Sequence, residues 1–264
     1  MLLSYSVLNP NGNITALVTS EINRDKYKYC ADEIMRKNKA IEQVGFIEKP
    51  KQGCAFHLQM TGGEFCGNAS LSAAALYLKS RHLTNDSVMF TVSGADKAIH
   101  ADVKETCSGQ YEGLVEMPLP IEIGKLEITD KYGIKQLVPV VIFKGIAHAV
   151  CPFEPGEDPE NIVKKGCGVF GVPCFGLMLT DKSFCGIKPL VYVQDADTCV
   201  YEGSCASGTA ALGAYLACAQ GLSSVTVKQP KGELRVITET EQGFPASIKL
   251  NATVNYVSEC SISI

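Results

Sequence analysis

The chain contains no tryptophan and only four histidines, and its 12 cysteines include no C-x-x-C pair. Zinc sites draw their ligands from tightly spaced cysteines and histidines, so scattered ones give a metal cluster no footing, and no metal is expected. Positive charge is not in excess: 24 Lys and Arg stand against 28 Asp and Glu, a net charge of −4. A surface that follows phosphates needs the opposite balance, which argues against nucleic acid as a partner. No apolar run approaches the roughly 18 residues of a bilayer span. The opening MLLSYSVLNP has no basic stretch ahead of a long apolar one. Neither a membrane nor a secretory leader is expected, and the expected location is cytoplasmic. Charged residues are scarce, at 20%, while apolar residues reach 46% of 264. That balance excludes disorder and leaves room for one large domain or two ordinary ones.

Cysteine is abundant where so much else is sparse. A disulfide scaffold would usually be shorter and poorer in core residues. The reading is a reduced protein in which most cysteines act as small core hydrophobes. Whether any thiol is chemically special depends on its surroundings along the chain.

Strand patterns cover Leu2–Leu8 and Ile14–Ser20, separated by Asn-Pro-Asn-Gly-Asn, which is hairpin chemistry. Arg24–Lys37 has helical spacing, with Tyr27, Cys30, Ile34 and Met35 on one side. Strands are expected at Gln43–Glu48 and Ala55–Met60, then an Ala-rich helix over Cys66–Leu83. Three further strands are expected at Val88–Ser93, Ala98–Lys104 and Tyr111–Met117. Met117-Pro118-Leu119-Pro120 breaks the pattern. The expected domains are therefore 1–118 and 119–264, the last few residues being free to rejoin the first. The second half repeats the plan, with strands at Leu137–Phe143, Ala147–Phe153, Phe175–Thr180, Pro189–Gln194, Val225–Gln229, Leu234–Thr238 and Ser247–Val257. Helices are expected at Pro159–Lys165 and Cys205–Gln220.

The two Ala-rich helices begin alike. Gly62-Gly63-Glu64-Phe65-Cys66-Gly67-Asn68-Ala69-Ser70 runs into one, and Tyr201-Glu202-Gly203-Ser204-Cys205-Ala206-Ser207-Gly208-Thr209 into the other. In each, glycine precedes a cysteine, small residues follow, and a hydroxyl stands four positions on. This is an internal repeat near half the chain length. A thiol in the first turn of a helix sits in the positive end of the macrodipole, which favours thiolate. The amides of that turn can hold a carboxylate, and small residues such as Gly67 and Ser207 let it approach. With two such sites facing each other, one sulfur could take an α-proton while the other protonates the opposite face. A single cysteine at a helix start is more often a packing residue. Two in matched contexts, one per half, shift the balance modestly towards catalysis.

These segments resemble the two cysteine motifs of diaminopimelate epimerase. Asn11-Gly12-Asn13-Ile14-Thr15 is similar to that family's N-terminal Gly-Asn turn, and Gly145-Ile146-Ala147-His148 to its Gly-Asn-Pro-His segment. The resemblance implies an α/β fold of two pseudo-symmetric lobes, each a curled mixed sheet around a central helix, with the active site in the cleft between them. It implies cofactor-independent inversion of an amino acid, with Cys66 and Cys205 catalytic. Asn13, Gly67, Asn68, His148, Glu202, Ala206 and Ser207 would bind substrate, with His57 and Glu64 as weaker candidates. A second copy of the chain is a candidate partner. The family's arginine before the second cysteine is missing, since Glu202-Gly203-Ser204 leads straight to Cys205. Ile146 and His57 replace expected asparagines, and Pro189 or Leu190 stands for another. A second charged end of the substrate would be left unpaired, which disfavours diaminopimelate. The remaining pattern resembles the histidine racemase subgroup, of the kind that supplies D-histidine for staphylopine-like metallophores. The implied reaction is therefore L-histidine to D-histidine.

Glu202 could instead cap the following helix, Glu64 the earlier one, and His148 could be a structural histidine in an apolar strand. Other isomerases of the fold remain open: a proline racemase-like enzyme, or a phenazine-biosynthesis-type isomerase, against which Cys205 argues. A non-catalytic amino-acid-binding protein and a thiol-redox or metal-sensing protein are the readings from other classes.

Overall fold

The computed structural model describes residues 2–51 and 53–263. The chain divides into two units, Met1–Glu116 with Asn251–Ile264, and Met117–Leu250.

In the first unit, β1 (Leu2–Pro10) runs antiparallel to β2 (Thr15–Val18). Asn11 and Gly12 turn the chain with φ of 48° and 94°, the left-handed backbone that Asn and Gly tolerate best. A single tighter turn at Arg24–Lys26 leads into α1 (Tyr27–Lys37). Tyr27, Cys30, Ala31 and Ile34 of α1 are buried in a core with Leu3, Val18 and Phe46. The Tyr27 ring stacks on Phe46 with centroids 3.6 Å apart. β3 (Gln43–Glu48) lies parallel to β2, and β4 (His57–Met60) antiparallel to β3.

Next comes α2 (Gly67–Arg81). Its first nine residues are all small or buried, with no polar face, so it must be covered on every side. It packs on β1, β2 and the following strands β5 (Asn85–Val92), β6 (Ile99–Cys107) and β7 (Gln110–Glu116). Gly113 of β7 makes room for Leu71, since a Cβ there would stand 2.5 Å from Leu71 Cδ2. The order β1-β2-β3-β4-β5-β6-β7 continues to the last strand of the chain, which pairs back with β1 and closes an eight-stranded mixed ring.

The second unit holds a six-stranded sheet. β8 (Glu122–Thr129), β9 (Lys135–Phe143) and β10 (Ile146–Cys151) are antiparallel neighbours. α3 (Pro159–Phe170) crosses to β11 (Cys174–Thr180), which is parallel to β10. β12 (Ile187–Val193) and β13 (Thr198–Tyr201) complete the sheet in the order β13-β12-β11-β10-β9-β8. α3 starts with an Asp158 cap and proline in its first turn, and packs on β10, β11 and β12. α4 (Ala206–Gln220), small and apolar all round, packs on β9, β10 and β11 and on the hairpin β14 (Ser224–Gln229) and β15 (Gly232–Glu241). β16 (Phe244–Ser263) is one long strand that begins in this unit and ends in the first.

Of the cysteines, Cys30, Cys151, Cys167 and Cys205 are buried, and Cys107 and Cys185 are exposed. Cys199 and Cys260 are partly buried and pack against the two hydrophobic cores. The expectation that most act as core residues therefore holds for six of the twelve. Cys54, Cys66, Cys174 and Cys218 are half-buried. Among the described residues, no helix is long and apolar enough to cross a membrane.

Candidate active site

In the first unit, Cys66 is the residue that caps α2. Its backbone is extended (φ −130°, ψ 112°) and its sulfur accepts the Ala69 amide at 3.4 Å. Its carbonyl takes the Ser70 amide at 2.9 Å and the Ser70 hydroxyl at 2.8 Å. Glu64 is therefore not the cap. It lies at the surface, but its carboxylate folds back over the Gly62-Gly63 turn, where a Cβ on Gly62 would meet Oε2 at 2.5 Å. That enclosure pushes its carboxyl above the usual range, against the pull of the Gly62 and Glu64 amides. The loop before Cys66 is held by the Ser93 hydroxyl, which donates to the Glu64 carbonyl at 2.9 Å. Gly94 (φ 75°) allows close approach there, since a Cβ would fall 2.2 Å from Phe65 N.

The Cys66 thiol donates to Gln43 Oε1 at 3.0 Å. Gln43 in turn donates to Asn13 Oδ1, and to Thr15 Oγ1 at 2.7 Å. Asn13 also donates to Glu42 Oε2 at 3.3 Å. Asn13 and Cys66 are thus joined through one carboxamide, with Gly67 and Asn68 buried at the helix start beside them. His57 is buried on β4 and turned to other partners, Thr91 Oγ1 at 2.7 Å and Gln59 Oε1 at 3.5 Å. Burial lowers its pKa.

In the second unit, Cys205 caps α4 in the same way. Its backbone is extended (φ −120°, ψ 108°), and its sulfur accepts the Gly208 amide at 3.3 Å. The Thr209 hydroxyl donates to the Cys205 carbonyl at 2.7 Å, as Ser70 does to Cys66. Glu202 is therefore not the helix cap either. It follows β13, where its amide donates to the Pro189 carbonyl at 3.0 Å. Burial pushes the Cys205 thiol well above its ordinary pKa. The charge of Glu202 and a hydrogen bond to it push the same way, while Ser207 and the Gly208 amide oppose. The helix start alone would favour thiolate; with only 4% of the residue exposed, desolvation wins and Cys205 rests as the thiol.

His148 shares a hydrogen bond of 2.9 Å between Nε2 and Ser207 Oγ, and Ser207 Oγ lies 3.6 Å from the Cys205 sulfur. The ring is fully buried, so desolvation pushes its pKa down to about 3 and it stays neutral. It leans across Gly176 on the neighbouring strand, where a Cβ would meet Nδ1 at 2.2 Å. Ala206 is buried at the first position of α4.

Each unit thus gathers its own set: Asn13, Gly67 and Asn68 with Cys66, and His148, Ser207, Ala206 and Glu202 with Cys205. His57 stands apart from the first. The sequence reading missed Gln43, which receives the Cys66 thiol, and Gln229, whose Oε1 accepts the Cys205 amide at 2.6 Å. Neither lies in a motif. The one available signal for Gln43 is its parallel register beside Thr15, visible only once β2 and β3 are paired.

The model of the Histidine racemase CntK N-terminal domain matches residues 2–262. A histidine racemase from Fusobacterium nucleatum subsp. nucleatum is 34% identical, covering 99% of this chain and 97% of that protein. Among solved structures, the Bacillus anthracis phenazine biosynthesis protein of the PhzF family aligns over 100% of both chains, with a TM-score of 0.72 and 11% identity. A probable proline racemase from Agrobacterium radiobacter, with bound carbonate, aligns over 99% of this chain and 93% of its own, with a TM-score of 0.66 and 13% identity. The fold is the mixed α/β fold seen in those solved structures.

Proposed function

This chain belongs to the histidine racemase family and is an enzyme of the racemase class, and from that premise we propose that it interconverts L- and D-histidine with Cys66 and Cys205 as the proton carriers. The observation that supports this reading is the matched build of the two helix starts. In each, the sulfur caps the amide three residues on, and a hydroxyl four residues on holds the cysteine carbonyl. One such cap would be ordinary helix chemistry; its repetition with the same hydroxyl spacing at the start of both Ala-rich helices is what favours a matched pair of proton carriers.

In this reading one sulfur, as thiolate, takes the α-proton, and the electron pair left on carbon delocalises into the substrate carboxylate. The other, as thiol, gives its proton to the opposite face. The two sulfurs have then exchanged protonation states, and the reverse reaction uses them in the opposite roles. Protein groups alone carry the proton. One substrate must reach both thiols, as in the two-lobed, pseudo-symmetric, diaminopimelate epimerase-like arrangement expected from sequence, with its site in the cleft.

The backbone at Gly67, Asn68, Ala206 and Ser207 would hold the substrate carboxylate, since helix starts present amides to anions. Each well-placed donor of this kind is worth roughly 3–4 kcal/mol in other enzymes. Asn13 and His148 would line the site from either unit. Glu202 would take the substrate ammonium or a ring N–H. An arriving cation there would offset the charge that disfavours the Cys205 thiolate, so binding itself would ready the sulfur.

The test is incubation with L-histidine, and separately with other L-amino acids, in deuterium oxide, followed by chiral chromatography and mass spectrometry. D-histidine carrying an α-deuteron is expected, with loss of racemisation in Cys66→Ser and in Cys205→Ser. Full racemisation by either variant would end the two-thiol scheme, and preference for another amino acid would end the histidine assignment.

A further inference from the structure

A helix cap has a backbone N–H of its own to satisfy. Commonly a Glu or Gln three residues on reaches back to it, closing a capping box. At α4 that position is Gly208, which has no side chain to reach back, and a Cβ there would stand 2.2 Å from Met178 Sδ and 3.2 Å from the Cys205 sulfur. The missing side chain comes from elsewhere in the unit. Gln229, the last residue of β14, accepts the Cys205 amide on Oε1 at 2.6 Å. Its Nε2 donates to Thr209 Oγ1 at 2.8 Å, and the Thr209 hydroxyl donates to the Cys205 carbonyl at 2.7 Å. The amide and the carbonyl of one residue are thus tied into a closed ring through one carboxamide and one hydroxyl.

We propose that Gln229 is a positioning residue for Cys205, holding the backbone on both sides of the thiol so that the sulfur is presented at one fixed place. The inference rests on the reading of Cys205 as a proton carrier. Only a carboxamide of this length meets both demands, an acceptor towards Cys205 and a donor towards Thr209. Glutamate lacks the donor and leucine lacks both. The hairpin that carries Gln229 is itself docked on the same loop. The Lys231 amide donates to the Gly203 carbonyl at 2.9 Å, and a Cβ on Gly203 would strike Lys231 Cδ at 2.4 Å.

The experiment compares Gln229→Leu, Thr209→Val, their combination, Thr209→Ser and Cys205→Ser in steady-state racemisation of histidine, with thermal melts of each. A misplaced proton carrier costs kcat rather than affinity, so Gln229→Leu is expected to lose about 100-fold in kcat, with KM within about threefold. Thr209→Val breaks the same ring without touching the hairpin. It should show the same split, the double variant should be no worse than the poorer single, and Thr209→Ser should recover most of the loss. Wild-type kcat in Thr209→Val and Gln229→Leu, or losses that multiply in the double variant, would overturn the assignment. Thr209→Val decides alone if Gln229→Leu does not fold. Cys205→Ser separates the two ideas. If it is inactive while the ring variants are normal, the positioning role fails and the two-thiol reading stands. If it racemises at the wild-type rate, that reading fails whatever Gln229 does.

Discussion

The Cys66 thiol donates its hydrogen to the Gln43 carboxamide oxygen at 3.0 Å, and the same carboxamide donates to Thr15 at 2.7 Å. Gln43 therefore has a fixed orientation, with its oxygen towards sulfur. A hydrogen bond of this kind contributes about 1 kcal/mol net, and losing it while stranding buried partners costs about 1–3 kcal/mol. Gln43→Leu is expected to lower kcat/KM roughly tenfold or more and to lower the unfolding midpoint, because Thr15 and Asn13 lose a partner along with Cys66. Steady-state racemisation and urea melts on the same preparation check both.

Glu202 acts on Cys205 through charge. Burial is the largest cause of the raised thiol pKa, and the Glu202 carboxylate adds to it by repelling thiolate. Glu202→Gln removes the charge and leaves the burial, so the Cys205 pKa should fall towards its ordinary value without reaching it. Thiolate-dependent alkylation at Cys205, followed by peptide mass spectrometry across pH 7 to 10, should shift towards lower pH in the variant. If Glu202 also receives the substrate cation, KM should rise in parallel. An unchanged alkylation profile would separate the carboxylate from the sulfur.

Sequence pattern carried much of this fold because most elements here are built from strong local signals. The helix from Cys66 lies over Gly67–Arg81, and the strand at Gln43–Glu48 has the expected bounds. Two strands were not legible. β8 (Glu122–Thr129) is charged on its open face and contains a glycine, and β13 (Thr198–Tyr201) is a four-residue edge. Both are strands because β9 and β12 offer unpaired edges, which is tertiary information. The first-turn environment of each cysteine was legible from the repeated Gly, Cys and hydroxyl spacing. The direction of the Cys205 pKa was not, because dipole and burial oppose each other and only the packed structure gives the depth of burial. Gln43 and Gln229 were hidden for the same reason: each reaches its cysteine across a sheet or from a hairpin, at separations of 23 and 24 residues.

Two glycines in α3 allow a matched comparison of packing against propensity. At Gly166 a Cβ would stand 2.6 Å from the Phe175 ring, while at Gly168 it would meet nothing within 4 Å. Glycine inside a helix costs about 1 kcal/mol relative to alanine. Gly168→Ala should therefore stabilise by up to about 1 kcal/mol. Gly166→Ala should destabilise, since forcing extra volume into a packed core costs typically about 1–3 kcal/mol. Urea unfolding of the two variants should move the midpoint in opposite directions. Equal shifts would mean that the Phe175 ring gives way more easily than its buried position implies.

His148 should make stability depend on pH in a definite direction. Its pKa is 6.5 in the unfolded chain and about 3 in the fold, through desolvation of a fully buried ring. Between those values the unfolded state binds the proton and the native state does not, so unfolding is favoured as pH falls. The contribution is fully present above pH 6.5 and is lost progressively down to about pH 3. For a single site with this separation, about 2 kcal/mol is gone by pH 5. His148→Gln keeps a polar group for Ser207 but does not titrate. It should be less stable than wild type at pH 7.5, where its packing is poorer, and should close much of that gap by pH 5. Urea melts at half-unit intervals from pH 5 to 7.5 read the difference between the two proteins directly, with the carboxylates common to both. Parallel curves would mean that the ring is hydrated enough in the native state to take up its proton near the ordinary value.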